Sequence, residues 1–132
     1  MDTSRQVATG RRYSLVNLWR STHHPVLDAP LALCDAGTVA FDDLVASDIF
    51  YPDRNGEIYQ LVHHAAQQWW YFPAMTRDEV LVFKQYDSAP APLARHTPHA
   101  AFDHPLTPAD APLRESIELR CLLIYQGEDH GM

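Results

Sequence analysis

At 132 residues and 15.0 kDa, the chain has room for one domain built around one hydrophobic core. Hydrophobic residues make up 46% of it and aromatics 11%, which is the composition of a folded protein and excludes a disordered one. Seventeen acidic residues against ten basic ones leave a net charge of −7, with Lys84 the single lysine, and that balance excludes nucleic acid as the main partner. No apolar run approaches the ~20 residues of a membrane span. The opening stretch MDTSRQVATGRR has no apolar segment behind its basic pair, so no secretory signal and no membrane partner are expected, and the location expected is cytoplasmic. Cys34 and Cys121 lie in apolar surroundings, LALCDA and LRCLLIY, and read as buried small hydrophobes in a reducing compartment.

Along the chain, residues 1–11 read as a flexible polar segment, 12–126 as one domain and 127–132 as a tail. The run RYSLVNLWR, Arg12 to Arg20, is a strand rich in aromatic and branched residues. STHHPVLDAP is a proline-bounded connector, and LALC a short buried strand. Gly37 to Ser47 predicts one helical turn around Phe41, Leu44 and Val45. YPDRNG is turn chemistry with Asn55-Gly56 as the hairpin signal, and EIYQLVHH is the strand that follows. WWYFP is an extended run ended by Pro73. In TRDEVLVFKQYD, Thr76 and Glu79 have capping-box spacing, but VLVF is of strand length, and the segment reads as a strand reached through a turn.

Two proline-rich loops, SAPAPLARHTPH and DHPLTPADAPL, precede the clearest strand, Glu115 to Tyr125. There Ile117, Leu119, Cys121, Leu123 and Tyr125 share one face, while Ser116, Glu118 and Arg120 begin the other. Six or so short strands with little helix predict a sandwich, barrel or jelly roll. The sequence has no Gly-rich phosphate loop, nucleophile elbow or paired-cysteine metal motif.

Eight histidines are the chemical supply. His23 and His24 precede a proline in a connector. His63 and His64 are adjacent, so a regular strand would point them to opposite faces. His130 falls in the tail. His96 and His99 bracket Thr97-Pro98, and His104 follows Asp103. The pattern that stands out is His99 followed fifteen residues later by Arg114-Glu115-Ser116. Imidazole is a good iron ligand, and guanidinium grips a carboxylate through two parallel charge-assisted hydrogen bonds. Arg114 and Ser116, two apart on a strand, share a face. The bland alternatives are a loop histidine bonded to backbone and an Arg114 paired with Glu115 or Asp110.

The stretches VNLWR, PVLDAPLALCDA, YPDRNGEIY, QQWWYFPAMTRDEVLVFKQYDS, TPHAAFDHP and DAPLRESIELR, in order from about residue 15 to 125, resemble the asaB-type hydroxylase/desaturase family. That family includes gibberellin-desaturase-like and CmcJ-like oxidoreductases of secondary metabolism. The resemblance implies a mostly β, partial double-stranded β-helix (jelly roll) of the iron/2-oxoglutarate oxygenase type, corresponding to the C-terminal part of longer relatives. It implies Fe(II) and 2-oxoglutarate as cofactors, a small-molecule metabolite as substrate, His99 as the distal iron ligand, and Arg114 with Ser116 as the cosubstrate anchor. Leu113 stands where the family usually has proline.

A His-x-Asp or His-x-Glu pair is absent from the sequence, so the metal site is expected to be incomplete and the chain alone inactive. His99 with Asp103 or His104 is the improvised alternative. Trp19, Trp69, Trp70, Tyr71 and Phe72 read as core or pocket wall, with Trp70, Asn17 and Arg20 as candidate substrate contacts. Asp35 and Asp87 read as turn caps. Two rivals stand beside the oxygenase reading: a non-catalytic remnant, and a small-molecule or protein-binding module on the same fold. With fewer strands than a closed jelly roll needs, the expected partner is a second copy or a complementary N-terminal piece.

Overall fold

The computed structural model describes residues 11–89 and 94–126. The predicted N-terminal segment and tail lie outside the described residues, apart from Arg11, as does His130. Eight strands follow in order: β1 (Tyr13–Ser21), β2 (Leu31–Cys34), β3 (Leu44–Phe50), β4 (Asn55–Leu61), β5 (Trp69–Tyr71), β6 (Leu81–Asp87), β7 (His99–Ala101) and β8 (Ser116–Ile124). Two single 3₁₀ turns, Ala36–Thr38 and Phe41–Asp43, are the whole of the helix among the described residues.

The strands form two three-stranded sheets, β6-β1-β8 and β5-β2-β7, and a hairpin, β3-β4. Every pairing is antiparallel. Strands far apart in sequence are neighbours, β1 with β8 and β2 with β7, and the chain alternates between the sheets as it does so. That wrapping is the jelly roll's, seen in part among the described residues. The partial jelly roll implied by the resemblance is the architecture observed.

The core lies between the sheets. Trp19, Leu81 and Phe83 come from β6-β1-β8, Leu31 from β2, and Val26 and Met75 from the connectors, with Leu33 packed against them. Directly opposed residues in an antiparallel pair share a face. Trp19 opposes Leu81 and Glu118, Asn17 opposes Phe83 and Arg120, and Ser21 opposes Ser116. The inward face of β8 is therefore Ser116, Glu118 and Arg120, its polar one. The alternation read from the sequence is present, but Ile117 and Leu119 point away from the core and are 56% and 60% exposed.

Two local predictions are corrected, and a third holds. Phe41 ends in a single 3₁₀ turn, and Leu44 and Val45 begin β3, because a full cross-strand ladder from Leu44↔Leu61 to Phe50↔Asn55 outweighs the helical spacing. The hairpin turn is Tyr51–Arg54, closed by Tyr51 N–H donating to the Arg54 carbonyl at 2.8 Å. Asn55-Gly56 already belongs to β4, so Pro52-Asp53 supplies the bend. Thr76 N–H and Oγ1 both donate to Glu79 Oε2, at 2.8 and 3.0 Å. This is half of a capping box, but it closes a turn that leads into β6, as the strand reading of that segment requires.

Candidate functional site

The sheet β5-β2-β7 has two faces, and each has its own chemistry. On the core-facing side Leu33 opposes both Trp70 and His99. The His99 ring rests on Phe83 of the other sheet, with centroids 4.7 Å apart. His99 Nδ1 lies 3.0 Å from the Thr97 carbonyl oxygen. A carbonyl only accepts, so Nδ1 carries the proton and Nε2 of the neutral ring keeps its lone pair. This is how second-shell carbonyls orient metal-binding imidazoles.

The same reasoning separates the other histidines. His104 Nδ1 accepts from Leu106 N–H at 3.2 Å, so the neutral ring is protonated at Nε2, which meets Tyr71 Oη at 2.7 Å. His64 Nδ1 likewise accepts from Ala66 N–H at 3.2 Å. Neither neutral ring offers a lone pair outward. Among these three only His99 presents a ligand nitrogen, and the improvised pairing with His104 has no free donor atom on that ring.

Arg114 lies two residues before the inward-facing Ser116. Its guanidinium is 5.9 Å from the Trp19 ring, and its Nη1 donates to the Ala29 carbonyl at 2.6 Å. Ala29 has φ of 42°, in the left-handed region that an alanine occupies at a cost of about 1–2 kcal/mol. Among the described residues no carboxylate is within ion-pair distance of Arg114, neither Glu115 nor Asp110. His99 and Arg114 thus meet the same buried cluster, one through Phe83 and one through Trp19.

Of the candidate substrate contacts, Asn17 faces inward, fully buried, and ties β8 down. Its Nδ2 donates to Glu118 Oε1 at 3.0 Å, and its Oδ1 accepts from Arg120 Nε at 3.2 Å. Trp70 is on the His99 face and 65% exposed. Arg20, three residues from Asn17, points outward and donates to the Arg77 carbonyl at 3.2 Å. The fold does not bring it to the others. Asp35 caps the first 3₁₀ turn through Gly37 N–H at 2.9 Å. Cys34 is buried beside it, and burial pushes its thiol up from the ordinary range.

The opposite face of the same sheet was not legible in the sequence. There a cavity of about 500 Å³ has Ala32 and Ala100 as its floor, Trp69, Tyr71 and Phe102 as aromatic walls, and Leu61, His63 and Gln67 along the side of the hairpin. The signal lay in HAAF: His99 and Ala101 alternate with Ala100 and Phe102, so one short strand serves two faces.

The donor set for iron is incomplete here. Among the described residues, no group of three His, Cys, Asp or Glu side chains is placed to hold a metal ion. Among the described residues this face brings together the His99 ring nitrogen and the Arg114 guanidinium, which do not make a full triad. No helix among the described residues is long and apolar enough to cross a membrane.

Known proteins resemble this chain in sequence and in fold. The family described as an oxidoreductase/YMDC permease-like domain matches residues 2–124. The chain is 42% identical over 114 residues to the Fe(II)/2-oxoglutarate-dependent dioxygenase nvfI of Aspergillus novofumigatus, covering 85% of this chain and 41% of that one. It is 36% identical over 132 residues to the hydroxylase/desaturase asaB of Aspergillus flavus, covering 89% and 57%. The solved iron and alpha-ketoglutarate-dependent endoperoxidase NvfI matches with a TM-score of 0.83 at 35% identity, over 96% of this chain and 47% of that one. The chain spans about half the length of the curated relatives it matches.

Proposed function

Because this chain belongs to the oxidoreductase/YMDC permease-like domain family, we propose that it carries the cosubstrate side of an Fe(II)/2-oxoglutarate-dependent oxygenase acting on a small metabolite of secondary metabolism. In this reading Arg114, with Ser116 beside it, receives the distal carboxylate of 2-oxoglutarate, and His99 offers one ligand to ferrous iron. The observation that carries the reading is the pair of preset groups on one buried cluster: a histidine whose Nδ1 proton is committed to Thr97, and an arginine held over Trp19 with donors to spare. The two ligands that would complete a triad are not among the described residues, so no step is derived through the metal. What the chain's own residues do is bind and orient.

Titration of cobalt(II), watched by its ligand-field bands, and of 2-oxoglutarate, watched by tryptophan fluorescence, tests both halves. Cobalt binding is expected to be weak and to disappear in His99→Ala. Binding of 2-oxoglutarate is expected to weaken about tenfold or more in Arg114→Ala, the loss of a charge-assisted pair. Tight one-to-one cobalt binding that survives His99→Ala would show that another residue is the ligand.

A second reading, a small-molecule-binding module on the same fold, draws on the cavity behind the sheet. Its volume is within the range of small-ligand sites and its walls are aromatic. A ligand there would be separated from His99 by the sheet itself, so its binding would be insensitive to His99→Ala.

A further inference from the structure

We propose that β8 is a homodimer edge: two copies pair β8 with β8 antiparallel about a twofold axis at Leu119, Glu118 of each opposite Arg120 of the other. Among the described residues β8 is the outer strand of its sheet, with β1 on one side and nothing on the other. At nine residues it shares the greatest strand length among the described residues with β1. The other outer strand of that sheet, β6, has two protections against edge pairing. Its pairing with β1 is broken by a register shift between Leu15 and Val16, and it carries Lys84. β8 has neither. Its register with β1 runs unbroken from Tyr13↔Ile124 to Ser21↔Ser116, and it contains no proline and no lysine.

The partner follows from the sequence of the edge itself. In an antiparallel pair that keeps the inward and outward faces in line, direct cross-strand neighbours set the register. One register puts Glu118 opposite Arg120 twice over, Leu119 on Leu119 and Ile117 on Cys121. Slipping it two residues one way puts Glu118 on Glu118; the other way puts Arg120 on Arg120. Each slip brings like charges together on the axis. SIELRCLLI is therefore self-complementary in one register, the requirement for an isologous interface. Glu118 and Arg120 each hold Asn17 through one atom and lie 3.5 Å apart, but both side chains remain partly exposed, leaving Glu118 Oε2 and the Arg120 terminal nitrogens for the second copy. Ile117 and Leu119 are exposed on the same edge, ready for lateral contact. The joint makes one six-stranded sheet and sets Leu122 of the second copy beside Ser116. The pairing does not depend on the metal reading.

Light scattering after size exclusion of the 132-residue chain is expected to give twice the 15.0 kDa chain mass. In a Cys121→Ser background, Leu119→Cys is expected to form a disulfide-linked dimer on mild oxidation, because the axis places it opposite itself. Ile117→Cys in the same background stays unlinked, and with Cys121 restored it links to that residue. Leu119→Lys, a change on an exposed position, puts like charges on the axis and is expected to give a monomer with cooperative unfolding. A 15.0 kDa monomer from the unmodified chain, or a dimer in which Ile117→Cys links to itself and Leu119→Cys does not, overturns the proposal.

Discussion

Asp87 is the residue on which most polar contacts of the first sheet converge. It is fully buried, and its carboxylate accepts from Arg12 Nε and Nη2 at 3.2 and 3.1 Å, Lys84 Nζ at 2.8 Å and Ala89 N–H at 3.0 Å. The Arg12 guanidinium holds the carboxyl well below the usual carboxylate range; burial opposes this and Lys84 adds to it. With the folded value depressed below the unfolded one, near 3.9, the stabilisation is complete above that pH. It is lost as pH falls through the window beneath it. Asp87→Asn is expected to cost about 1.5–3 kcal/mol at pH 7, the range for hydrogen bonds to a charged group. That difference should shrink between pH 4 and pH 2, as measured by urea unfolding. Parallel pH profiles for the two proteins would remove Asp87 from the acid limb. The sequence showed the capping role, which the Ala89 contact bears out, but not the ion pair. Its partner Arg12 is 75 residues away, brought near only by the pairing of β1 with β6. Arg114 teaches the same lesson: an arginine before a strand was legible, but the Ala29 carbonyl that holds it belongs to a connector with an unusual backbone.

At the scale of elements, strands with strong alternation or dense branched residues were readable, and those made by their partners were not. β1, β2, β6 and β8 follow from residue type and period. β3, LVASDIF, has no clean alternation and exists because β4 pairs with it along its length. Which face of β8 turns inward was also hidden. The apolar face is the natural choice from the strand alone, but Asn17 and Trp19 on β1 carry the opposite face into the core. The hairpin differs in kind from the sheets. Its extensive contacts are between β3 and β4 alone, and it is held to the rest by Gln67 Nε2, which donates to Asp43 Oδ2 and the Val62 carbonyl at its base, and by the Tyr59 ring, 5.2 Å from that of His96. Local opening needs little more than those few contacts to break. In native-state hydrogen exchange, amides of Ala46–Phe50 and Asn55–Tyr59 are expected to exchange well before those of Val16–Trp19, without global unfolding. Equal protection in both regions would mean that the hairpin is part of the cooperative core.

For the whole molecule, the question is whether a half-length relative of oxygenases can turn over. Family membership and the jelly-roll match establish the scaffold, while activity depends on a constellation. One imidazole and one guanidinium supply orientation and charge, but iron that activates oxygen is held by three protein ligands on one side, with the other positions left for cosubstrate and oxygen. A single ligand at millimolar affinity or weaker leaves the metal largely in solvent, with its coordination filled by water. The chain alone is therefore expected to form no succinate from 2-oxoglutarate above a no-protein control with the same iron and ascorbate. The comparison that decides this is between the unmodified chain and Arg114→Ala. Background oxidation by free iron is the same for both, whereas turnover at a built site falls when the cosubstrate anchor is removed. Succinate above the control that vanishes in Arg114→Ala would mean that ligands outside the described residues, or from a second copy, complete the triad around His99.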